Sequence, residues 1–488
     1  MSPSRAPFLR PVSALGLSLV LAACASVPDL GTRPELRTAT SVAAGESLGG
    51  STGGAWPANG WWQTYGDPQL ARLIEEGLRA SPDAEIAAAR FRQARGMAQA
   101  AGAPLLPSIG VGANAGLEKQ SYNVGIPAQF VPKGWQDVGQ ASVDLSFDLD
   151  LWGRNRAALA AATSEAEAAR IEQDQARLML ATGIASAYAD LARLHAERDV
   201  LAAAVDLRTA TRKLVADRVR NGLDTRAELK QAEAAVPAAR ADLAATDEAI
   251  ALVRNQIAAL VGAGPDRGLA IERPALAALH PAGVPAQVTT DLIGRRPDIA
   301  AARAQAEAAA SRIRVARADF FPAIRLGALV GVRSLGLDQL TDSGSTYGNV
   351  TPAISLPIFR GGALSGQYRG ARGRYDEAVA LYNRTVIAAY HEVADAVTSQ
   401  RAATDRLALS RQALADSEEA YAIARKRYEG GLSTYLNVLS SEETLLQARR
   451  AVADLDARMF ALDVALVRAL GGGFTAPPPA LAKDDSHG

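Results

Sequence analysis

The stretch ASVDLSFDL, residues 141–149, alternates apolar and polar side chains at every position. An alternation of period two with one apolar face predicts a β-strand. Residues 109–117, 324–332 and 350–358 show a similar alternation. We therefore predict four strands, at about 105–117, 138–150, 322–332 and 348–358. Each is close to the length of about 9–11 residues that a tilted membrane strand needs.

The two faces of these strands differ in chemistry. One face is apolar and suits lipid, whereas the other carries Asp144, Asp148 and Arg325, which we expect to line a water-filled barrel lumen. A soluble antiparallel sheet with one wet face would show the same alternation. The pattern alone leaves both interpretations open.

Four strands are too few to close a barrel, since about eight are needed even when side chains fill the interior. A sheet with open edges inside a membrane would leave backbone groups unpaired, at several kcal/mol each. If the strands cross a membrane, other copies of the chain must complete the sheet.

Each pair of strands is followed by two long stretches with few helix breakers. We predict helices at about 153–221, 224–261, 362–429 and 433–470. A stretch of nearly 70 residues would reach about 100 Å if unbroken. Apolar residues recur every seven positions, which is typical of coiled-coil packing, although an ordinary bundle or a fibrous spacer remains possible. One such series is Leu229, Val236, Leu243, Ile250 and Ile257. Pro237 interrupts the pattern and predicts a kink.

The chain contains an internal repeat. Ser81-Pro82-Asp83 returns as Arg296-Pro297-Asp298, and the segment at 222–225 returns at 431–434. We infer two homologous halves, 67–270 and 271–473, followed by a flexible C-terminal tail at 474–488.

The N-terminus is typical of a secretion signal at residues 1–23, because Arg5 and Arg10 precede a short apolar stretch. Leu21-Ala22-Ala23-Cys24 resembles a bacterial lipobox, and Cys24 is the only cysteine. We expect cleavage before Cys24, a covalent lipid on its thiol, and a lipidated N-terminal segment at 24–66. An ordinary signal peptide with an incidental cysteine is the alternative.

Composition argues against several classes of function. Lys and Arg total 52, as do Asp and Glu, so the charge balance indicates neither a nucleic-acid-binding surface nor an acidic tail. The four histidines, His195, His280, His391 and His487, are scattered along the chain. We therefore expect no catalytic set, no metal site and no cofactor, and we do not expect an enzyme.

Three motifs resemble the TolC-type outer-membrane factors, in particular their NodT-type lipoprotein branch. They are Trp61-Trp62-Gln63-Thr64-Tyr65-Gly66-Asp67-Pro68, Arg295-Arg296-Pro297-Asp298-Ile299 and Leu356-Pro357-Ile358-Phe359. The resemblance implies an α+β membrane protein, assembled as a homotrimer. Its 12-stranded transmembrane β-barrel, with four strands per chain, would stand on a long α-helical coiled-coil periplasmic barrel with an equatorial belt of shorter segments. Outer loops would lie near 118–137 and 333–347.

The resemblance also assigns roles to the two turns between long helices. It implies that a periplasmic membrane-fusion adaptor docks at these tips, which consist of Gly222, Leu223, Thr225, Gly431, Leu432 and Thr434. The same residues would also suit simple helix-ending turns. A periplasmic constriction is expected near Tyr428, Asn437 and Ser440. Relatives carry acidic residues at the positions of Asn437 and Ser440, so an acidic gate is in doubt here. We expect Glu442 and Glu443 on a solvated helix face.

The function that follows is passive conduction at the cell outer membrane. We expect an exit duct for small toxic molecules or drugs, supplied through the adaptor by an inner-membrane pump of the RND type. The alternatives are a duct for type I protein secretion and a non-conducting, lipid-anchored coiled-coil spacer or adhesin.

Overall fold

Long helices and one antiparallel sheet make up the computed structural model, which describes residues 27–48, 53–123, 125–275 and 283–476. The signal segment, Cys24 and nearly all of the C-terminal tail lie outside these residues. The helices are α1 (Pro68–Ala80), α2 (Pro82–Gly102), α3 (Arg154–Arg220), α4 (Arg226–Leu260), α5 (Val288–Arg295), α6 (Pro297–Ala318), α7 (Ala363–Glu429) and α8 (Tyr435–Ala469), with single turns at Gly45–Leu48 and Asp266–Leu269. Strands are β1 (Ser108–Glu118), β2 (Gln136–Leu149), β3 (Ala323–Leu335) and β4 (Thr346–Ser355). The fold class expected from the sequence, long helices with a four-stranded sheet, is confirmed.

The repeat is visible in the helices. Helices α3 and α7 each have 67 residues, and α4 and α8 each have 35. Helix α4 continues through Pro237, so the proline does not end the helix. Across the described ranges, no helix combines the length and the apolar character that a bilayer crossing requires.

Contacts divide the chain into two compact units. The first contains the sheet together with the helical segments within Arg92–Ala168 and Arg303–Leu381. Its strands follow the order β1-β2-β3-β4, and every neighbouring pair is antiparallel. A small apolar cluster of Ile313, Ala316 and Ala371 joins α6 to α7.

The second unit contains three apolar clusters and the remaining helical segments. One cluster gathers Trp61 and Tyr65 around the middle of α3. Asp67 caps α1 by accepting hydrogen bonds from the backbone N–H groups of Gln69 and Leu70, and it also accepts one from the Tyr188 hydroxyl at 2.6 Å. Burial opposes the charge on Asp67, but these hydrogen bonds and one from Ala275 lower its pKa. The aromatic motif at 61–68 therefore anchors the N-terminal segment to the helices.

The motif at 295–299 also has a structural role. Arg296 is buried and forms ion pairs with Asp298 at 2.6 Å and with Glu392 at 2.7 Å. Its guanidinium also donates to the carbonyl of Ala469, the last residue of α8. Arg296 thus joins α6, α7 and α8 at one point.

Candidate membrane face and helical turns

The strand register sorts the side chains onto two faces of the sheet. Val143 lies opposite Val111 and Val330, whereas Asp144 lies opposite Gly110 and Leu329. The same parity holds along all four strands. One face is mostly apolar, and the other is mostly polar or glycine-rich, with Leu329 among its few large apolar residues. Eight large apolar side chains on the apolar face are exposed: Ile109, Val111, Leu117, Val143, Leu149, Val330, Val350 and Ile354. Five others on this face are half-buried: Leu145, Phe147, Ile324, Leu326 and Val332. Val111 is 80% exposed, so no described element of this chain covers it.

The three charged residues expected in the lumen share the other face. Arg325 Nε lies 2.7 Å from Asp148 Oδ1, in a pair of residues directly opposite each other. Asp144 lies beside Gly110, where any Cβ would come within 2.8 Å of its carboxylate. Glycine at 110 therefore leaves room for a charged side chain on the polar face. Whether this face lines a lumen stays a prediction.

Both outer strands, β1 and β4, have one edge without a partner strand among the described residues. The backbone N–H of Arg333 donates to the Ser345 carbonyl at 2.8 Å, so odd-numbered residues of β4 point their backbone groups toward β3. Pro352 is even-numbered, and its missing N–H faces the open edge. The proline therefore removes no hydrogen bond from the sheet within this chain.

The two helical turns are close copies. At the first turn, Leu223 N–H donates to Arg218 O at 2.9 Å and Gly222 N–H donates to Val219 O at 3.1 Å. The second turn repeats both bonds, from Leu432 to Arg427 and from Gly431 to Tyr428. This Schellman arrangement requires a left-handed residue, and both glycines have φ of 74°.

The turns differ in capping and resemble each other in exposed surface. Thr225 and Glu228 form a reciprocal capping box, whereas Thr434 makes no side-chain cap. Asn437 stands at the position that corresponds to Glu228, so the reciprocal glutamate is also missing there. Leu223 and Leu432 are both exposed, the latter 73%. The tips thus present apolar side chains to solvent in each repeat. Leu436, which the sequence analysis missed, is exposed one helical turn after Leu432.

A buried polar network joins the first turn to the end of α7. Arg218 Nε lies 2.9 Å from Asp224 Oδ2, and Arg218 also donates to the Tyr428 carbonyl at 2.9 Å. The Tyr428 hydroxyl donates to Asp224, and the Arg218 guanidinium lies 4.5 Å from the centre of the Tyr428 ring. Burial, together with the bond to Asp224, raises the pKa of Tyr428. Sequence analysis identified Tyr428 but neither Arg218 nor Asp224.

The residues expected at a constriction do not all face the same way. Asn437 and Ser440 are exposed, whereas the Tyr428 side chain is fully buried within the protomer. Of these three residues, Asn437 and Ser440 are the two whose side chains are accessible in this conformation. The constriction itself stays a prediction.

The expectation for Glu442 is wrong. Its side chain is 2% exposed and lies 3.2 Å from Arg208 Nε. Burial raises the pKa of Glu442, although Arg208 partly offsets this effect. Glu442 therefore belongs to the interior between α3 and α8, while its neighbour Glu443 is exposed.

Comparison with known proteins shows that this chain is similar to outer-membrane efflux proteins. The family model described as "Outer membrane efflux protein" matches residues 73–263 and 288–472. The fusaric acid resistance protein FusA of Burkholderia cepacia is 36% identical over 370 residues, covering 74% of this chain and 68% of FusA. The pyoverdine export outer membrane protein OpmQ of Pseudomonas putida is 31% identical over 471 residues, covering 95% of this chain and 98% of OpmQ.

A solved structure shows the same fold at higher identity. The outer membrane protein VceC of Vibrio cholerae is 46% identical and superposes with a TM-score of 0.82, covering 86% of this chain and all of VceC. Both repeats, each with two strands of the sheet, therefore have counterparts in an outer-membrane protein.

Proposed function

Because the chain belongs to the outer membrane efflux protein family and is an outer-membrane efflux component, we propose that three copies of it form one passive exit duct. Each copy contributes four strands to a closed 12-stranded barrel. Toxic small molecules or drugs pass through the duct after an inner-membrane pump of the RND type delivers them. A periplasmic adaptor connects the pump to the duct at the exposed turns.

The observation that carries this proposal is the exposed apolar face of a sheet with two open edges. An apolar face of this kind is stable in contact with lipid, but backbone groups at an open edge are not. Pairing β4 of one copy with β1 of the next satisfies the open edges. Two copies would supply eight strands, which leave an interior that side chains fill, whereas three copies leave room for a passage.

The same observation weighs against a soluble sheet in a coiled-coil spacer or adhesin. In such a protein the apolar sides of the strands would pack on helices. Within the described residues they are exposed instead.

Two relatives bear on the cargo. Their names concern resistance to fusaric acid and export of pyoverdine, which favours efflux of such compounds over type I protein secretion for this chain. Deleting the gene should lower the toxin concentration that stops growth while secreted polypeptides stay at their normal level. Loss of secreted protein without a change in toxin tolerance would favour the secretion duct.

The mass of the detergent-extracted complex, after subtraction of bound detergent, tests the assembly. A trimer that survives dilution and conducts ions in a planar bilayer supports the duct. A monomer, or a protein released from membranes when its lipid anchor is removed, would show that the strands do not enter the bilayer.

The lipid on Cys24 belongs to this proposal as a second attachment to the membrane. Mass spectrometry of the mature N-terminus checks it directly. A Cys24→Ala variant should lose the acyl mass but still assemble, because the sheet provides the main membrane contact. An unmodified thiol in the wild-type protein would contradict lipidation.

A further inference from the structure

A cavity of about 500 Å³ lies in the first unit, where the ends of β2, β3 and β4 meet α3 and α6. Five strand residues that line it belong to the polar face of the sheet, namely Asp148, Ala323, Arg325, Ala353 and Ser355, whereas Leu149 and Ile324 belong to the apolar face. Most of the strand residues at the cavity therefore lie on the side of the sheet that carries the charged side chains. A volume of this size suits one drug-sized molecule.

Two aromatic rings form one wall of the cavity. Trp152 and Phe321 stack with ring centroids 4.9 Å apart and an angle of 22° between their planes. The Trp152 indole N–H donates to the Pro322 carbonyl at 2.7 Å, which fixes the orientation of the ring. A planar apolar surface is thus held in the wall of the cavity, where another flat ring can stack on it.

The charges around the cavity are paired except for one. Arg154 lies 2.7 Å from Asp319, Arg325 lies 2.7 Å from Asp148, and Asp150 is paired with Arg156 at 3.2 Å. Arg360 also lines the cavity, and no carboxylate in the described part of the chain lies within ion-pairing distance of it. An anionic group would complete this arrangement, since a guanidinium binds a carboxylate with two parallel hydrogen bonds.

We propose that this cavity is a transient cargo site that binds a planar aromatic molecule carrying a carboxylate. The ring stacks on the Trp152–Phe321 pair, and the carboxylate pairs with Arg360. This inference rests on the proposed function, because only a conducting duct brings cargo to this side of the sheet. Binding at a partly open site is weak, as conduction requires, since a tight site would retain the molecule.

Equilibrium dialysis of the full-length, detergent-solubilised protein tests the site with two probes that share one ring system. The probes are 1-naphthoate, which is anionic, and 1-naphthylmethanol, which is neutral. R360Q should weaken naphthoate binding about tenfold, the loss expected for one charge-assisted contact, and should leave naphthylmethanol binding unchanged. F321L should weaken both probes, because it removes half of the aromatic wall.

The control is R374Q, which removes an exposed arginine of α7 that does not line the cavity. It should leave both affinities unchanged. Equal losses in R360Q and R374Q would overturn the site, because they would indicate nonspecific attraction to surface charge. Failure of the wild type to bind naphthoate would also overturn it.

Conductance and mass of the same preparation separate this inference from the proposed function. A conducting trimer that does not bind naphthoate overturns the cavity as a cargo site and leaves the duct intact. A non-conducting monomer that still binds naphthoate overturns the duct and with it the role of the cavity in transport.

Discussion

Arg218 and Asp224 near the first helical turn are largely shielded from solvent, so each charge depends on its partner. The side chains of Arg218 and Asp224 are 12% and 7% exposed, respectively. Asp224→Asn would leave the guanidinium without its counter-charge, which costs about 3–5 kcal/mol for a buried pair. Tyr428→Phe removes one hydrogen bond to a charged group, worth roughly 1.5–3 kcal/mol. We therefore expect a larger loss of thermal stability in D224N than in Y428F.

The same variants should change conduction, because the network ties the first turn to the end of α7. Single-channel recordings should show a higher conductance or longer open times in D224N than in the wild type. Asp217→Asn is the matched control, since Asp217 pairs with Arg220 at an exposed site on the same turn and such pairs contribute little. If the D224N channel conducted like the wild type, the network around Asp224 would have no role in gating.

Glu442 gives a pH dependence with a definite sign. Burial raises its pKa above the ordinary value of 4.5, so the folded state retains the proton to a higher pH than the unfolded chain. The stabilisation by protonated Glu442 is complete below pH 4.5 and is lost as the pH rises through the raised pKa. Compared with E442Q, the wild type should therefore lose thermal stability as the pH rises above 4.5. E443Q controls for the loss of one negative charge on the same turn.

The misplacement of Glu442 has a physical explanation in the heptad itself. Val438, Glu442 and Leu445 have the i, i+4, i+7 spacing of a buried helical stripe, and all three are buried. A carboxylate is buried at such a position only when a partner compensates its charge. The partner here, Arg208, lies on a helix of the other repeat, so the local sequence around Glu442 does not reveal it. Likewise, Asp224 and Tyr428 are 204 residues apart, and only the folded chain shows that they meet. Gly222 and Gly431, in contrast, could be recognised from the local sequence, because a glycine directly after a long helix predicts a helix-ending turn.

At the scale of elements, sequence patterns placed the long helices better than the strands. The predicted helix at 153–221 agrees within one residue at each end with α3, which spans Arg154–Arg220. The prediction was accurate because a glycine-containing turn marks each end of the helix. The last strand was predicted at 348–358, whereas β4 ends at Ser355. Apolar alternation continues through Leu356 and Ile358, but Ser355 pairs with Ala323, the first residue of β3, and no strand residue remains to pair with the rest. The alternation of apolar residues thus predicts which side chains share a face, but it does not predict where the hydrogen bonds between two strands end.

Bulky side chains introduced at the two turns should block docking of the adaptor without preventing the protein from folding. A Cβ added at Gly222 or Gly431 meets no atom within 4 Å, so only the left-handed backbone opposes substitution, at roughly 1–2 kcal/mol. We expect the double variant G222W/G431W to assemble in the outer membrane yet fail to export toxic compounds. Asparagine tolerates this backbone and is small, so G222N/G431N should export normally. Normal export by the tryptophan variant would contradict adaptor docking at the tips.

Pro237 should reduce the stability of α4. An interior proline removes one hydrogen bond and crowds the preceding turn, at about 3 kcal/mol or more. Pro237 is exposed, so P237A creates no cavity and should raise the thermal midpoint. Pro68→Ala is the control, because Pro68 is the first residue of α1, where proline fits the helix. A lower midpoint in P237A would show that a bend at this proline improves packing between helices.

At the scale of the whole molecule, the sheet of a single chain cannot be stable in one solvent, because its two faces differ in polarity and its two edges are open. Neither lipid nor water suits the whole sheet of a single chain, since its apolar face avoids water and its unpaired edges avoid lipid. Closure by identical copies removes the edges and keeps the polar face wet. The sequence predicts both faces from alternation and the open edges from the number of strands, but the order and register of the strands become visible only in the fold.

Adjacent residues of β2 offer a direct test of which face meets lipid. Val143 lies in the middle of the apolar face, and Ser142 lies on the polar face between Gly112 and Gly331. The side of Ser142 next to Gly112 is open, since a Cβ added at Gly112 would meet no atom within 4 Å. In a bilayer, V143K should cost about 2–4 kcal/mol, because a lysine at mid-depth must leave water, whereas S142K should cost little. The yield of assembled trimers and their urea midpoint in lipid vesicles measure the difference. If water covered both faces, a lysine at position 143 would replace an exposed valine at no cost, and the two variants would behave alike.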